Sequence, residues 1–340
     1  MGDATKNMPD RAEQPTSLMA DLKSGTLAHA AFLICTRGAH SHRQACLASI
    51  AGLIKPDGLQ LSIVIGDNNV PAAKQEILAE TQELGLDITY IHVVPRGYCY
   101  VRNAVLDAAG ETGAEILIFI DDDHMVEPDL LQSYIDCFKQ FDPDVVHGSY
   151  VGSSRRHRQG QRAQKVSTYN VAFRRRLIIS PQHGGMGLRF DPRLNLLGHE
   201  DTEFFREASD LGARMIYSDQ ALTRLTDTGQ PHKQTAVSRT IAYAAGRYAV
   251  SVEAIRRGNA SAVRLFFRSY LPRGFRGIFE AAQSAIRKAS RANDPAAPSI
   301  SLAMFHGAIH GLLRGGVERP AARAGKIVPV AEQANVVRRS

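Results

Sequence analysis

The chain has 340 residues, 44% of them apolar, and its 41 Lys and Arg outnumber 34 Asp and Glu to leave a net charge of +7. That is enough apolar material for one large domain or two modest ones, and the positive balance favours anionic partners: phosphorylated ligands, nucleic acid or an acidic membrane. Two classes are excluded: a membrane-spanning protein, because no apolar run approaches the roughly 18 residues a span needs, and a disulfide or zinc framework, because Cys35, Cys46, Cys99 and Cys137 show no paired spacing.

Residues 1–26 are polar, with Pro9 and Pro15, and read as a loosely ordered lead-in. They have no continuous apolar core, so a secretory signal is not expected and the unpaired thiols fit a cytoplasmic setting. A rhythm then begins. AAFLIC (Ala30–Cys35) reads as a buried strand and HRQACLASIAGL as a helix. LSIVIG (Leu61–Gly66) is a second strand, AKQEILAETQEL a second helix, DITYIHVV a third strand, VRNAVLDAA a helix and EILIFI a fourth strand. EPDLLQSYIDCF is again helical, with Pro128 in its first turn. Apolar strands alternating with helices predict an α/β fold: a mostly parallel sheet with helices on both faces, whose ligands gather at the strands' carboxyl ends.

After Val151 the rhythm changes. SSRRHRQGQRAQK reads as a basic, mobile loop, and the segment from Arg189 to Asp219 as a loop, a helix and one more strand. From about residue 226 the chain reads helical and basic. Between Val263 and Arg291 seven positive residues face one negative, Glu280, with Phe266, Phe267, Tyr270, Phe275 and Phe279 interleaved. Such a region fits a surface resting on anionic lipid, and equally a set of core helices with a basic outer face.

The chemistry is concentrated at strand ends. Asp121, Asp122 and Asp123 close the fourth strand. On an extended backbone Asp121 and Asp123 share a face while Asp122 points away. Two carboxylates about 4 Å apart repel by roughly 1 kcal/mol in water and about 4 kcal/mol at an intermediate dielectric. Mn²⁺ or Mg²⁺ relieves this, with substrate phosphates completing the coordination; the plainer reading is one aspartate capping the next helix and two solvated. Asp67 and Asn68 follow the second strand and can read a base edge or ribose, or simply make a turn. Thr36 and Arg37 follow the first strand. Arg102 opens a helix, a place suited to phosphate. Glu200 and Asp201 sit just before another helix, where acids either cap or remove a proton from an acceptor hydroxyl.

This ordered set resembles the inverting glycosyltransferases of family 2, with the GT-A fold, over roughly residues 30–225. The carrying segments are ICTRGAHSHRQACLASI, IVIGDNN, the stretch from Val101 to Leu131, NVAFRR, RFDPRL and GHEDTEFFREASDLGARMIYSDQAL. MFHGAIHGLLRGG also resembles the tail of succinoglycan-type exopolysaccharide glucosyltransferases.

The resemblance implies a domain over 27–225 and a C-terminal region, 226–340, for acceptor or membrane contact on the inner face of the cytoplasmic membrane. It also implies a nucleotide-diphosphate sugar donor, UDP-linked, and a saccharide or polyprenyl-diphosphate-linked acceptor. It places Asp67 and Asn68 at the base, Thr36 and Arg37 along the nucleotide pocket, and Arg102 at the helix bordering the donor. Asp123 becomes the main ligand of Mn²⁺ or Mg²⁺, Asp122 faces the ribose, Asp121 supports the metal, and Asp201 is the base, with Glu200 beside it.

The sequence departs from the family twice. The first loop, CTRGAHSH, lacks the family's usual aromatic, and TRLTDTGQPH replaces a His-Glu pair, leaving His232 and His124 as candidates beside the metal. A nucleotidyltransferase would want a Gly-rich first loop, which CTRGAHSH matches poorly. A non-catalytic sugar-nucleotide binder stays open. A nucleic-acid partner is not expected, since no recognition module organises the basic residues.

Overall fold

The computed structural model describes residues 27–38, 40–153, 157–195, 198–226 and 335–337. In chain order these form β1 (His29–Thr36), α1 (His40–Ala51), β2 (Gln60–Asp67), α2 (Lys74–Glu83), β3 (Thr89–His92) and α3 (Tyr98–Glu111). There follow β4 (Ile116–Asp121), β5 (His124–Val126), α4 (Leu130–Phe141), β6 (Val145–Tyr150), β7 (Asn170–Arg174), α5 (Glu200–Asp210), β8 (Met215–Leu225) and β9 (Asn335–Val337). The strands make one sheet in the order β5-β8-β6-β7-β4-β1-β2-β3-β9. Its centre, β4-β1-β2-β3, is parallel, and β7 runs antiparallel beside β4.

The parallel centre follows from its composition. Along β1, Ala31 and Leu33 enter one core with Val64, Leu117 and Phe119, while Ala30, Phe32 and Ile34 enter the other with Ile63, Ile65 and Ile118. Both faces are therefore buried, and a strand with no polar face reads as an unbroken apolar run. Helix α3 supplies Val101, Ala104 and Val105 to the first core, and α5 supplies Phe204 and Phe205. Helices α1 and α4 cover the second through Cys46, Leu47, Ile50, Leu130, Tyr134 and Phe138.

On that second face α1 is tied to α2 by a buried cation. Arg43 is 0% exposed; its Nε donates to Glu80 Oε2 at 2.8 Å, and its Nη2 donates to Glu80 Oε1 and Glu76 Oε1, both at 2.7 Å. His40 Nδ1 lies 2.7 Å from the same Glu76 oxygen. The grouping of His40, Glu76 and Glu80 has metal-ligand spacing, but the guanidinium already supplies the cation that the two glutamates need.

Several expectations are corrected here. Pro128 lies outside α4, which begins at Leu130 after an Asp129 that makes no side-chain cap bond; the Pro128 carbonyl instead accepts from Ile54 N at 3.0 Å. The described part of the basic loop is strapped to β8: Gly160 N donates to Tyr217 O at 3.0 Å, Ala163 N donates to Met215 O at 2.8 Å, and the His157 ring stacks on Tyr217 with centroids 3.6 Å apart. Strands β6 and β7 had no counterpart in the sequence reading. β6 is VVHGSY, and its His and Gly break both the apolar run and the alternation that mark a strand. The expected helical region beyond Thr226 lies outside the described residues, apart from the backbone of β9. No helix among the described residues is long and apolar enough to cross a membrane.

Gly66 lets α3 lie close against β2. A Cβ there would stand 2.6 Å from Val101 Cγ2 and 2.7 Å from Val105 Cγ1. Gly66→Ala should therefore overpack the β2–α3 contact and cost about 1–3 kcal/mol, read as a lowered urea midpoint at unchanged slope.

Candidate active site

Strand register builds the site. Thr36 pairs with Asp67 across β1–β2, Cys35 with Asp121 across β1–β4, and Asp67 with His92 across β2–β3. The carboxyl ends of four neighbouring strands thus form one row, and every strand-end residue singled out in the sequence stands on it.

The aspartate triplet does not continue extended. β4 ends at Asp121, the chain turns through Asp122 and Asp123, and β5 starts at His124. The three carboxylates consequently take three environments. Asp122 accepts from Thr36 Oγ1 at 2.6 Å. Burial raises its pKa, opposed by that hydroxyl and by the backbone N–H of Arg37. Asp121 is pushed up to about 7, first by burial and then by the charges of Asp123 and Asp122, with Arg102 opposing. Asp123 keeps its side chain 30% exposed, and its carbonyl accepts from Thr226 N at 2.8 Å and from Thr226 Oγ1 at 3.1 Å. None of the three caps α4.

Arg102 is the cation of this cluster. It is 8% exposed, and its guanidinium lies over the rings of Tyr98 and Phe190 at 5.6 and 5.5 Å. Nη1 donates to Glu200 Oε1, and Nη2 stands 3.9 Å from Asp121 Oδ1. Burial disfavours its charge, but Glu200 and Asp121 outweigh that and hold the guanidinium above its ordinary pKa. Arg102, on α3, joins Asp121 at the end of β4 to Glu200 on α5.

Glu200 and Asp201 open α5 together with Glu203, an acidic first turn that meets the helix's positive end. Glu200 is 7% exposed, and its Oε2 is buried with no hydrogen-bond partner among the described residues. Asp201 Oδ1 accepts from Thr202 N at 2.6 Å and from Thr202 Oγ1 at 3.3 Å. The Asp201 charge acts on both Asp121 and Arg102, so segments some 80 residues apart share one site.

Asp67 and Asn68 are buried, at 0% and 2% exposed, and both engage the protein. Asp67 Oδ1 accepts from Asn69 N and Nδ2 at 2.9 and 2.8 Å, and Oδ2 from Ala73 N and Tyr90 OH, each at 2.7 Å. Four donors fill the lone-pair positions of one carboxylate. Asn68 Nδ2 donates to the carbonyls of Val93 and Pro95 at 2.8 and 3.2 Å, and Asn68 Oδ1 accepts from Gly97 N at 2.7 Å. The pair fastens two loops along the rim, β2–α2 and β3–α3. Gly97, at φ 144°, admits Asn195 so closely that a Cβ would fall 1.8 Å from Asn195 Oδ1.

Arg37 is exposed beside this row. His124 stands against Asp123, while His232 lies outside the described residues. The sequence reading missed Tyr90, Thr223 and Asn195, because each acts by a contact across strands that no local spacing encodes.

Among the described residues the site thus gathers five carboxylates, those of Asp121, Asp122, Asp123, Glu200 and Asp201, around the buried Arg102. Carboxylate oxygens outnumber cations here among the described residues, a donor set that suits a divalent ion, and the Asp121 and Asp123 side chains are 42% and 30% exposed.

Residues 33–194 match the model of glycosyl transferase family 2. The chain is 26% identical over 187 residues to the succinoglycan biosynthesis protein ExoM of Rhizobium meliloti (strain 1021); the match covers 52% of this chain and 60% of that protein's length. Among solved structures, Staphylococcus aureus TarS 1–349 in complex with UDP-GlcNAc aligns with a TM-score of 0.54 at 15% identity, over 71% of this chain and 73% of that one. The mannosyltransferase PcManGT from Pyrobaculum calidifontis, in complex with GDP-Man and Mn²⁺, aligns with a TM-score of 0.57 at 16% identity, over 90% and 91%. The fold is accordingly an α/β, GT-A-like one.

Arg102→Met should strand a buried Glu200 and cost about 3–5 kcal/mol. Adding Glu200→Gln should recover much of that loss, a non-additivity measured by a denaturation double-mutant cycle.

Proposed function

We propose that this chain, through its glycosyl transferase family 2 domain, is a metal-dependent inverting glycosyltransferase. It moves a sugar from a nucleotide-diphosphate donor to a hydroxyl of a saccharide or polyprenyl-diphosphate-linked acceptor. The observation that carries the reading is the convergence of Asp121–Asp123 and Glu200–Asp201, with the buried Arg102 between them, at the carboxyl ends of a parallel sheet. Neighbours captured with UDP-GlcNAc and with GDP-Man and Mn²⁺ support a nucleotide-sugar donor. The succinoglycan relative supports a place in exopolysaccharide synthesis.

Asp123 would hold Mn²⁺ or Mg²⁺, with Asp121 in support. When bound, the ion neutralises charge building on the departing diphosphate. Asp122, anchored on Thr36 and the Arg37 backbone, faces the donor ribose, and the Arg37 side chain extends from the same loop. Asp67 and Asn68 shape the base pocket by holding its loops. Arg102 keeps Glu200 and Asp121 apart yet close, so the acceptor and donor halves of the site stay in register.

Asp201 is the base. Thr202 donates both of its bonds to Oδ1, leaving Oδ2 to take the acceptor hydroxyl proton. The hydroxyl oxygen then bonds to the sugar's anomeric carbon as the bond to diphosphate breaks on the opposite face, so a single displacement inverts the centre. Residues 226–340 supply acceptor contact and a basic surface for the inner face of the cytoplasmic membrane.

A thermal-shift panel of nucleotide sugars with and without Mn²⁺ tests the donor assignment. A uridine diphosphate sugar should stabilise the protein only with the metal, and Asp123→Ala should abolish the shift. Asp201→Asn should retain that shift while transfer falls at least about 100-fold. Unchanged turnover in Asp201→Asn would favour a non-catalytic sugar-nucleotide binder.

A further inference from the structure

Helix α3 starts without a cap of its own. Its N-cap residue is Gly97, which has no side chain to offer, and Val101 N donates back to Gly97 O at 3.3 Å. The amides of Tyr98, Cys99 and Tyr100 have no acceptor inside the helix. An asparagine at the N-cap would accept from the second or third of them. Here the acceptor comes from Asn195, 96 positions from Cys99. Its Oδ1 accepts from Cys99 N at 3.3 Å, and its Nδ2 donates to Arg96 O at 3.1 Å. The amide group takes the space that a side chain at residue 97 would fill: a Cβ on Gly97 would stand 2.0 Å from Nδ2 and 2.2 Å from Cγ.

Neighbouring contacts extend the attachment. Phe190 N donates to Asn103 Oδ1 at 2.8 Å, Asn103 Nδ2 donates to Phe190 O at 2.9 Å, and Cys99 Sγ donates to Asp191 O at 3.2 Å. Beyond Asn195, Glu200 accepts from Arg102. The chain entering α5 is thus fastened to the first two turns of α3 on both sides of the short stretch between Asn195 and Glu200, and Asp201 follows the second fastening directly. Helix α5 itself begins after His199, which sits at φ 67° and makes no side-chain cap bond. Its starting point therefore depends on what holds the chain before it.

We propose that Asn195 is a positioning residue: it caps α3 from outside that helix and thereby fixes where α5 begins, and Asp201 with it. The inference rests on the assignment of Asp201 as the base. The donor side of α3 has its own fastening, because Asn68 holds Val93, Pro95 and Gly97. Loss of the Asn195 amide should therefore disturb the reacting geometry more than donor binding.

Hydrogen exchange on the full chain without ligand reads the fastening. Asn195→Ala should raise exchange at the Cys99 amide and in the first turn of α5 at least about tenfold, while α4 on the opposite face stays unchanged. Release of nucleoside diphosphate from UDP-glucose, UDP-GlcNAc and GDP-mannose with Mn²⁺ reads the positioning. For the donor that wild type turns over, Asn195→Ala should lower kcat about 10–100-fold and change the donor KM less than about twofold. Asn195→Asp keeps an acceptor for Cys99 N and should recover most of the lost kcat, a rescue that a general loss of packing would not give.

Unchanged exchange in Asn195→Ala, or loosened exchange with unchanged kcat, would overturn the proposal and leave Asp201 as the base. Full turnover by Asp201→Asn would remove the base itself, and the positioning role would go with it. No release by wild type from any of the three donors would likewise overturn the catalytic half, leaving the cap to stand on the exchange result.

Discussion

An excess of negative charge at one edge of a sheet is the constraint around which this protein is arranged. Five carboxylates converge there among the described residues, and the buried cation Arg102 lies among them. Left to themselves, such groups repel by several kcal/mol once water is thinned out. The fold tolerates them by dividing the cluster. Asp122 is held by a hydroxyl and a backbone amide of the first loop, Glu200 takes the guanidinium, and Asp123 stays toward solvent. Asp121, its side chain 42% exposed, is shifted toward neutrality by desolvation at the strand end and by its acidic neighbours, with Arg102 opposing. A divalent ion and a diphosphate answer the same imbalance, which ties the electrostatics to the proposed chemistry.

The scaffold's part is to make that cluster rigid. Parallel pairing in fixed register brings four strand ends into line, and the glycine at position 66 lets α3 lie close enough on β2 for Arg102, one turn from the helix start, to reach under the triplet. On the opposite face Arg43 does for the helices what Arg102 does for the site, gathering Glu76 and Glu80 onto one guanidinium. Both arginines are costly to bury alone and strongly held once paired. Beside them, Asp67 and Asn68 lock the rim loops with no hydrogen-bonding position left over on the carboxylate, so the pocket wall is preorganised before anything binds.

Much of this was legible in the linear chain. Strands β1, β2 and β4 announce themselves as unbroken apolar runs because both of their faces are covered, and α3 and α5 by apolar residues at helical spacing after a turn. The aspartate triplet and the Glu200–Asp201 pair were visible as charge placed where strands end or helices begin. What escaped is of one kind. β6 and β7 are short, interrupted by polar residues, and stable only because β4 and β8 flank them. Extended geometry was assumed for the triplet, yet the chain turns after Asp121, and the three side chains meet three different environments. Asp67 and Asn68 looked available to a ligand; in the folded chain they are the fasteners of their own loops. The basic loop after Ser153 looked mobile, and its described part is strapped along β8.

The sequence by itself determined the fold class, the order of the central elements and the positions along the chain where acidic chemistry would gather. Those properties depend on periodicity and composition, which are local. Only the tertiary structure decided which side chain meets which partner: that Arg102 turns to Glu200 rather than outward, that Tyr90 seals Asp67, and that Thr223 meets the imidazole of His124. Those contacts join residues roughly 20 to 100 positions apart. Side-chain hydrogen bonds and ion pairs act over a few ångströms in space, and distance along the chain carries no record of them until the strands have paired.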